Sequence, residues 1–580
     1  MLASDWRQFD PDTGARRRWT HLLGTAPAVD ADDAAWWGEA FAQMPPSYIR
    51  ALNGLYHHIG THVSRFAANQ AMDRAREAIA RVRSHNLPFD VDDDEICDAA
   101  ALYVRRIAEP AARQVRRRWQ TVGNAVLADP PPPETYETDI LRAAGLPETN
   151  PGRPRLLDEY WWRRQLRRAI GRDIDQVGRV VGVVYRSAQC YCADITVYRR
   201  AQQQQRIART LRTLELVTGP RGDRSQQTRL PLDEVVAGSV ANPRVRRTEL
   251  MTRIGGIEDW AVAQGWDALF ITVTAPAAYH ARTPEGRPYD WNGTTPRQVQ
   301  DYLMRVWART RAAWKRAGLT PVGLRVVEPH HDGTPHWHAL VFVPRPQAAA
   351  LEALARAYAL ADNPDEPGAA EHRFKVVRID RRRGRAAGYV AKYVAKAVDG
   401  FGVDVDRHGN PGDRAAARIR AWSSTWSIRQ FQFFGAPPVG VWRELRRAAG
   451  APAGPLGDAW RAADLGLWAE YMRVMAVTPV SLARAWSDKT NKYGEPVGNI
   501  IVGVEWAGVR LPTRREWRIE KRRGGDLGDL TITVRPNIMG LDNHADTTYS
   551  DRAEIDYPRP GAWRTPGTRH PWSQGPPARQ

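Results

Sequence analysis

The sequence predicts an α+β protein built around a ferredoxin-like, RRM-like antiparallel sheet of β-α-β-β-α-β order, flanked by mainly helical regions. Three observations lead there. Between residues 267 and 398, short runs of β-branched and aromatic residues alternate with amphipathic helical stretches in that order. A cluster of turn formers, "PHHDGTP", separates two of the strands tightly enough to make them a hairpin. To either side the chain reads as helical, interrupted by the stiff run "DPPPPE" at 129–134.

The first strand is "DALFITVTA". The helix after it, "TPRQVQDYLMRVWARTRAAWKRAG", has Thr295 as its N-cap, Pro296 in its first turn and Gly318 beyond its end. It gathers Val299, Leu303, Val306, Trp307, Ala313 and Trp314 on one face. Residues 323–328 and 336–343 form the hairpin, "QAAALEALARAYALAD" a second helix, "HRFKVVRID" the fourth strand and "RAAGYVAKYVAKAV" a third helix. Two helices on one face of such a sheet leave the other face free to hold a site. Beyond 400, "RIRAWSSTWSIRQFQFFGAPPVGVWRELRR" supplies a further strand and helix, and 497–520 a small β-unit. The expected organisation is a helical region 1–128, a Pro-rich linker 129–154, a basic helical region 155–262, the sheet domain 263–450, a helical and small β region 451–540 and a disordered tail 541–580.

A net charge of +19 favours a polyanionic partner. No apolar run reaches the roughly 18 residues needed to span a bilayer, and "MLASDWRQFD" has no signal-peptide core, so a cytoplasmic protein without membrane association is expected. Cys97, Cys190 and Cys192 make no disulfide framework and no zinc ribbon; the pair in "AQCYCAD" reads as two small buried or half-buried residues. In "YWWRRQLRRAIGRDIDQVGR", Trp161, Trp162 and six arginines suit either a solvated helix face or a nucleic-acid backbone. No GxxxxGK[ST] motif is present, so no P-loop motor is visible.

Four of the 14 histidines fall at 330, 331, 336 and 338. Side chains alternate along a strand, so His336 and His338 share a face while Trp337 turns to the other layer. Two imidazoles so spaced can grip one cation. In simple hairpin register Glu328 lies opposite His336 and is the first choice of third ligand, with His330 or His331 in the turn as the alternative. A bare His-x-His is more often a pair of half-buried strand residues, so support is needed elsewhere. It comes from "GYVAKYVAK", which puts Tyr389 and Tyr393 on one helix face with Lys392 and Lys396 beside them. Residues 375–396 hold eight basic residues against one acidic, and Arg381, Arg382, Arg383, Arg385 and Lys396 are the candidate contacts to a phosphate backbone. A tyrosine hydroxyl of pKa about 10 needs a charged neighbour or an activated electrophile. A cation on the histidines can polarise a phosphate oxygen, and Lys392 can offset charge in the transition state. The product is a phosphotyrosine ester that conserves the energy of the cleaved bond.

"EPHHDGTPHWH" and "GYVAKYVAK", with "SVANPRVRRTELMTRIGGIEDWA", "FITVTAPAAYHA" and "WSIRQFQFFG" in this order, closely resemble the replication gene A protein family of bacteriophages and prophages, rolling-circle initiators of the HUH endonuclease superfamily. The resemblance spans roughly 155–450. It implies that 263–450 is an HUH endonuclease domain that nicks one strand of single-stranded or supercoiled origin DNA, stays on the 5′ phosphate through tyrosine and leaves a 3′ hydroxyl for a host polymerase and helicase. It implies Mg²⁺ or Mn²⁺ as cofactor, His336 and His338 as ligands, and Tyr389 and Tyr393 as nucleophiles acting in turn. The third ligand is left to the hairpin register. In the first motif Ala275-Pro276-Ala277 stands where a small polar residue is expected after the proline. A two-tyrosine transposase or plasmid relaxase would share this chemistry; a non-catalytic DNA-binding protein with structural zinc would need neither tyrosine.

Overall fold

A computed structural model describes residues 44–522 except 45, 63, 86, 88, 90, 121–132, 149–150, 221–223, 289, 452 and 515; the tail expected at 541–580 lies outside the described residues. The labelled elements are helix α1 (Glu159–Val180), helix α2 (Pro243–Ala263), strand β1 (Trp266–Thr274), helix α3 (Pro296–Arg316) and strand β2 (Val322–Pro329). Strand β3 (Pro335–Pro344), helix α4 (Ala348–Ala359), strand β4 (Phe374–Arg378), helix α5 (Ala386–Val398), helix α6 (Gly412–Thr425) and strand β5 (Phe431–Phe434) follow. The protein is thus α+β. Its five-stranded antiparallel sheet runs in the order β4-β1-β3-β2-β5.

Helix α3 starts in a full capping box between Thr295 and Gln298, which satisfies backbone donors that would otherwise be orphaned. With α4 it covers one sheet face, burying Val299, Leu303 and Leu351 against Leu269, Ile271, Val341 and Val343. The other face, which the sequence leaves free, is itself covered. There α2 and α5 pack Ile254, Val390 and Val394 on Phe270, Leu324, Val326 and Phe342. The reason lies in the strands: β2 is buried along its whole length, so neither of its faces can meet water. Gly323 allows the closest approach within the sheet, since a Cβ there would lie 2.0 Å from the Leu340 carbonyl oxygen of β3.

The start of α5 is fixed by a single carboxylate. Buried Glu258 of α2 accepts hydrogen bonds from the Ala386 and Ala387 amides at 2.7 and 3.0 Å, and the Arg385 guanidinium lies 3.3 Å from it. An anion at a helix N-terminus meets both the free N–H groups and the positive end of the dipole. The tyrosine-bearing helix therefore begins at a defined point over the sheet.

Before the sheet, Pro46–His62, Arg65–Arg83, Asp93–Gln120, Pro133–Ala143 and α1 are helical, around a core that includes Leu52, Ile79, Ile96, Trp162 and Ile170. Trp161 and Trp162 are buried there and offer no surface to a nucleic acid. Arg179, at the end of α1, reaches the hairpin turn, donating to the Asp332 carbonyl at 3.0 Å and to Thr334 Oγ1 at 3.1 Å. Cys97, Cys190 and Cys192 are buried free thiols. Beyond the sheet, Ser481–Thr490, Pro496–Trp506 and Val509–Pro512 form a small antiparallel unit. Among the described residues no helix is long and apolar enough to cross a membrane.

Candidate active site

The register of β3 sets the centre of the site. His336 faces Glu328 on β2 and Thr274 on β1; His338 faces Val326 and Thr272. The two imidazoles meet with their Nε2 atoms 2.9 Å apart, and the Thr272 hydroxyl lies 2.9 Å from His338 Nδ1. One donor atom from each of Glu328, His336 and His338 lies within 4.8 Å of the others, and all three side chains are buried.

This donor set suits a cation. Glu328 Oε1 and His336 Nδ1 are buried without a hydrogen-bond partner among the described residues, and an orphaned buried polar atom costs about 1–3 kcal/mol unless something satisfies it. Burial, reinforced by His330, His338 and nearby cations, holds His336 well below the usual imidazole range. Burial, with Arg407, Lys396 and Lys392 adding, lowers His338 to about 3. Both rings are therefore neutral near pH 7, the form that ligates a metal. Two nitrogens and one carboxylate leave coordination positions for a substrate oxygen.

Of the turn histidines, His331 donates through Nε2 to the Arg282 carbonyl at 2.9 Å and is engaged there. His330 packs on His336 at 3.9 Å between ring centroids, and its buried Nε2 has no hydrogen-bond partner among the described residues.

Helix α5 lays one of the two tyrosines against the histidines. The half-buried Tyr393 ring lies 4.4 Å from His338 and stacks on Phe270 at 5.3 Å. Tyr389, one turn earlier, lies 6.4 Å from Phe270 and is 38% exposed. Burial first, then the charge of Glu328, pushes the Tyr393 phenol up to about 12, against an opposing pull from Arg407. The two lysines part company. Lys392 is exposed, with Nζ 5.1 Å from the Tyr393 ring centroid. Lys396 is buried, with Nζ 3.4 Å from Glu328 Oε2, so it faces the site and not a surface that a strand could follow.

The four candidate arginines stand just before α5. Arg381 donates to the Trp266 carbonyl, Arg382 pairs with Asp380 at 3.0 Å, Arg383 lies 3.9 Å from Asp380, and Arg385 pairs with Glu258 and with Asp259 at 2.5 Å. Sequence reasoning passes over several residues of the site: Phe270 and Thr272 on β1, and Tyr191, whose hydroxyl donates to Asp406. Tyr191 has φ +76°, rare for a residue with a side chain. Asp406 in turn accepts from the His408 and Asn410 amides at 2.8 and 2.9 Å, fixing the turn after α5. The turn formers in "DVDRHGNPG" are the one signal that could have marked it.

Residues 132–401 match the family model described as Bacteriophage replication gene A protein. The chain is 34% identical over 418 residues to the probable replication protein of Pseudoalteromonas phage PM2, covering 68% of this chain and 63% of that relative. It is 34% identical over 437 residues to the Replication gene A protein of Escherichia phage 186, covering 71% of this chain and 62% of the relative. A Probable replication endonuclease from a prophage-like region of Salmonella paratyphi A is 34% identical over 446 residues, 71% of this chain and 54% of the relative. The chain thus spans just over half to just under two thirds of the length of these relatives. No solved structure matches it.

Proposed function

Over residues 132–401 the chain belongs to the bacteriophage replication gene A protein family, and from that premise we propose that it initiates rolling-circle replication by nicking one strand of origin DNA and holding the 5′ end on tyrosine. The observation that carries this reading is the buried trio Glu328, His336 and His338, with orphaned acceptors, set against Tyr393. The strand order β4-β1-β3-β2, with α3 and α4 on one face, supports a ferredoxin-like HUH core.

The three buried side chains would hold Mg²⁺ or Mn²⁺, which when bound supplies Lewis-acid polarisation of a non-bridging phosphate oxygen. The tyrosine oxygen attacks phosphorus, the bond from phosphorus to the 3′ oxygen breaks, and the phenolic proton ends on that oxygen. Nucleotide–enzyme and free 3′ hydroxyl are the products, and the reverse reaction reseals the strand without a nucleotide cofactor. Thr272 and Phe270 orient the His338 ring, and Phe270 also stacks on Tyr393, so one strand aligns ligand and nucleophile. Lys396 offsets the Glu328 charge, while exposed Lys392 faces the developing phosphorane charge. With Tyr389 one turn from Tyr393, one tyrosine can hold the displaced strand while the other cuts the regenerated origin. Host helicase and polymerase in the bacterial cytoplasm are the expected partners.

The test is nicking of supercoiled phage origin DNA with Mn²⁺ or with chelator. Wild type should nick only with metal, and the His336→Ala and His338→Ala variants should bind single-stranded DNA yet fail to nick. Full nicking by the double variant would remove the site.

A further inference from the structure

A second concentration of charge lies away from the histidines, along the edge of the sheet. Strand β5 is the edge strand, and Val326 of β2 pairs with both Phe431 and His338. Phe431 therefore sits in the same cross-strand row as His338, two strands away, about 10 Å at roughly 4.8 Å per strand. Arginines from four segments form a chain leading from it, with Arg420 in electrostatic range of Arg246 and Arg200 in range of Arg420. Arg246 of α2 lies 5.5 Å over the Phe431 ring, and Arg429 donates to the Phe431 carbonyl at 3.3 Å. Arg420 comes from α6, and Arg200 from the helix Asp194–Arg212 packed on it.

Acids are scarce here. Glu249 is committed to Arg443 at 2.8 Å and lies 3.9 Å from Arg253, and Asp399 pairs with Arg247 at 2.8 Å. Among the described residues, Arg200, Arg246, Arg420 and Arg429 have no carboxylate partner. Arg246 and Arg429 are exposed and the other two half-buried, and the Nε atoms of Arg200 and Arg420 have no hydrogen-bond partner among the described residues. Crowding is felt electrostatically: desolvation lowers Arg246, Glu249 opposes, and Arg443, Arg429 and Arg420 lower it further. Desolvation lowers Arg200 as well, with Arg420 adding. Like charges whose neighbouring carboxylates, Glu249 and Asp399, are already paired with other arginines are relieved by a bound polyanion, and planar guanidiniums match phosphate oxygens in pairs. The contrast with the arginines before α5 is chemical: Arg382 and Arg385 each hold a carboxylate within 3.3 Å, and Arg383 lies 3.9 Å from one.

We propose that Arg200, Arg246, Arg420 and Arg429 form a track for the phosphate backbone of a single DNA strand, passing over β5 beside the cleavage site. This rests on the proposed nuclease reading. The strand then runs along the β5 edge, where Phe431 shares its cross-strand row with His338, and reaches the cleavage site from that edge.

The experiment is fluorescence anisotropy of a labelled single-stranded origin oligonucleotide across a tenfold range of salt, with chelator present so that binding is read without cutting. The triple variant Arg246→Gln/Arg420→Gln/Arg429→Gln should lose about 2 log units of salt slope, at roughly 0.7 per contact, which is about a 100-fold loss of affinity tenfold below the salt at which the curves meet. The triple Lys variant keeps the charges and should keep the slope. An unchanged slope in the Gln triple overturns the proposal, and so does an equal loss in the Lys triple, which would mark a folding defect. Nicking by the wild type is read separately: nicking with an unaltered Gln-triple slope sinks the track alone, whereas a lost slope in a protein that never nicks sinks the nuclease reading alone.

Discussion

Glu328 and Lys396 should be strongly coupled in the metal-free protein. Their Oε2 and Nζ atoms lie 3.4 Å apart, and their side chains are 1% and 10% exposed. At an effective dielectric of about 20 the gross attraction across that gap is about 5 kcal/mol. Removing either partner leaves the other charge buried and unmatched, which costs about 3–5 kcal/mol. The variants Glu328→Gln and Lys396→Met should each show a loss of that order in urea unfolding with chelator present. The double variant, which buries no charge at the pair, should lose far less than the sum. A double-mutant cycle reads the difference directly. Strict additivity, with a coupling below about 0.5 kcal/mol, would mean that water reaches the ammonium and that Lys396 does not serve the site.

Metal should stabilise the fold: Mn²⁺ at about 100 times its Kd should add about 2.7 kcal/mol, seen as a higher thermal midpoint, and a rise that persists in His336→Ala and His338→Ala would put the ion elsewhere. Acid should destabilise the metal-free protein. His338 sits at about 3 and His336 well below its ordinary range when folded, whereas an unfolded histidine titrates near 6.5, so this stability is complete above about pH 6.5 and falls as the pH drops towards the folded values, by about 2 kcal/mol per histidine down to pH 5. Stability that stays level over that span in the wild type would contradict the buried, neutral rings, and His338→Gln should flatten the profile. Glu258→Ala should cost about 3 kcal/mol by stranding the Ala386 and Ala387 amides, and amide exchange should rise at the start of α5; unchanged exchange there would show that the helix does not depend on this carboxylate.

How far the sequence discloses the site depends on the kind of interaction. The hairpin register follows from local rules, because the period of two and the turn "PHHDGTP" leave one pairing that buries the apolar sides of both strands, and Glu328 does face His336. The spacing of Tyr389 and Tyr393 is likewise local. What approaches the histidines from far along the chain is not written in any window: Thr272 enters because β1 pairs with β3, and Tyr191 arrives from a loop more than a hundred residues upstream. The lysines show a second limit. Helical spacing makes Lys392 and Lys396 equivalent, and only the packing of α5 on the sheet sends one into the site and the other to solvent. The covered second face has the same cause: the sequence pattern accounts for two helices on one face and leaves the other free, and only the packing of α2 and α5 closes it.

The measurement that tests the central claim most directly is a denaturing gel of the protein incubated with Mn²⁺ and an origin oligonucleotide labelled on the 3′ side of the cut, comparing wild type with Tyr389→Phe, Tyr393→Phe and the double variant. Phenylalanine keeps the ring that stacks on Phe270 and removes only the nucleophile. Wild type and each single variant should carry label on the protein band, the single variants should fail to circularise a strand, and the double variant should carry no label; a labelled protein band from the double variant would contradict the account.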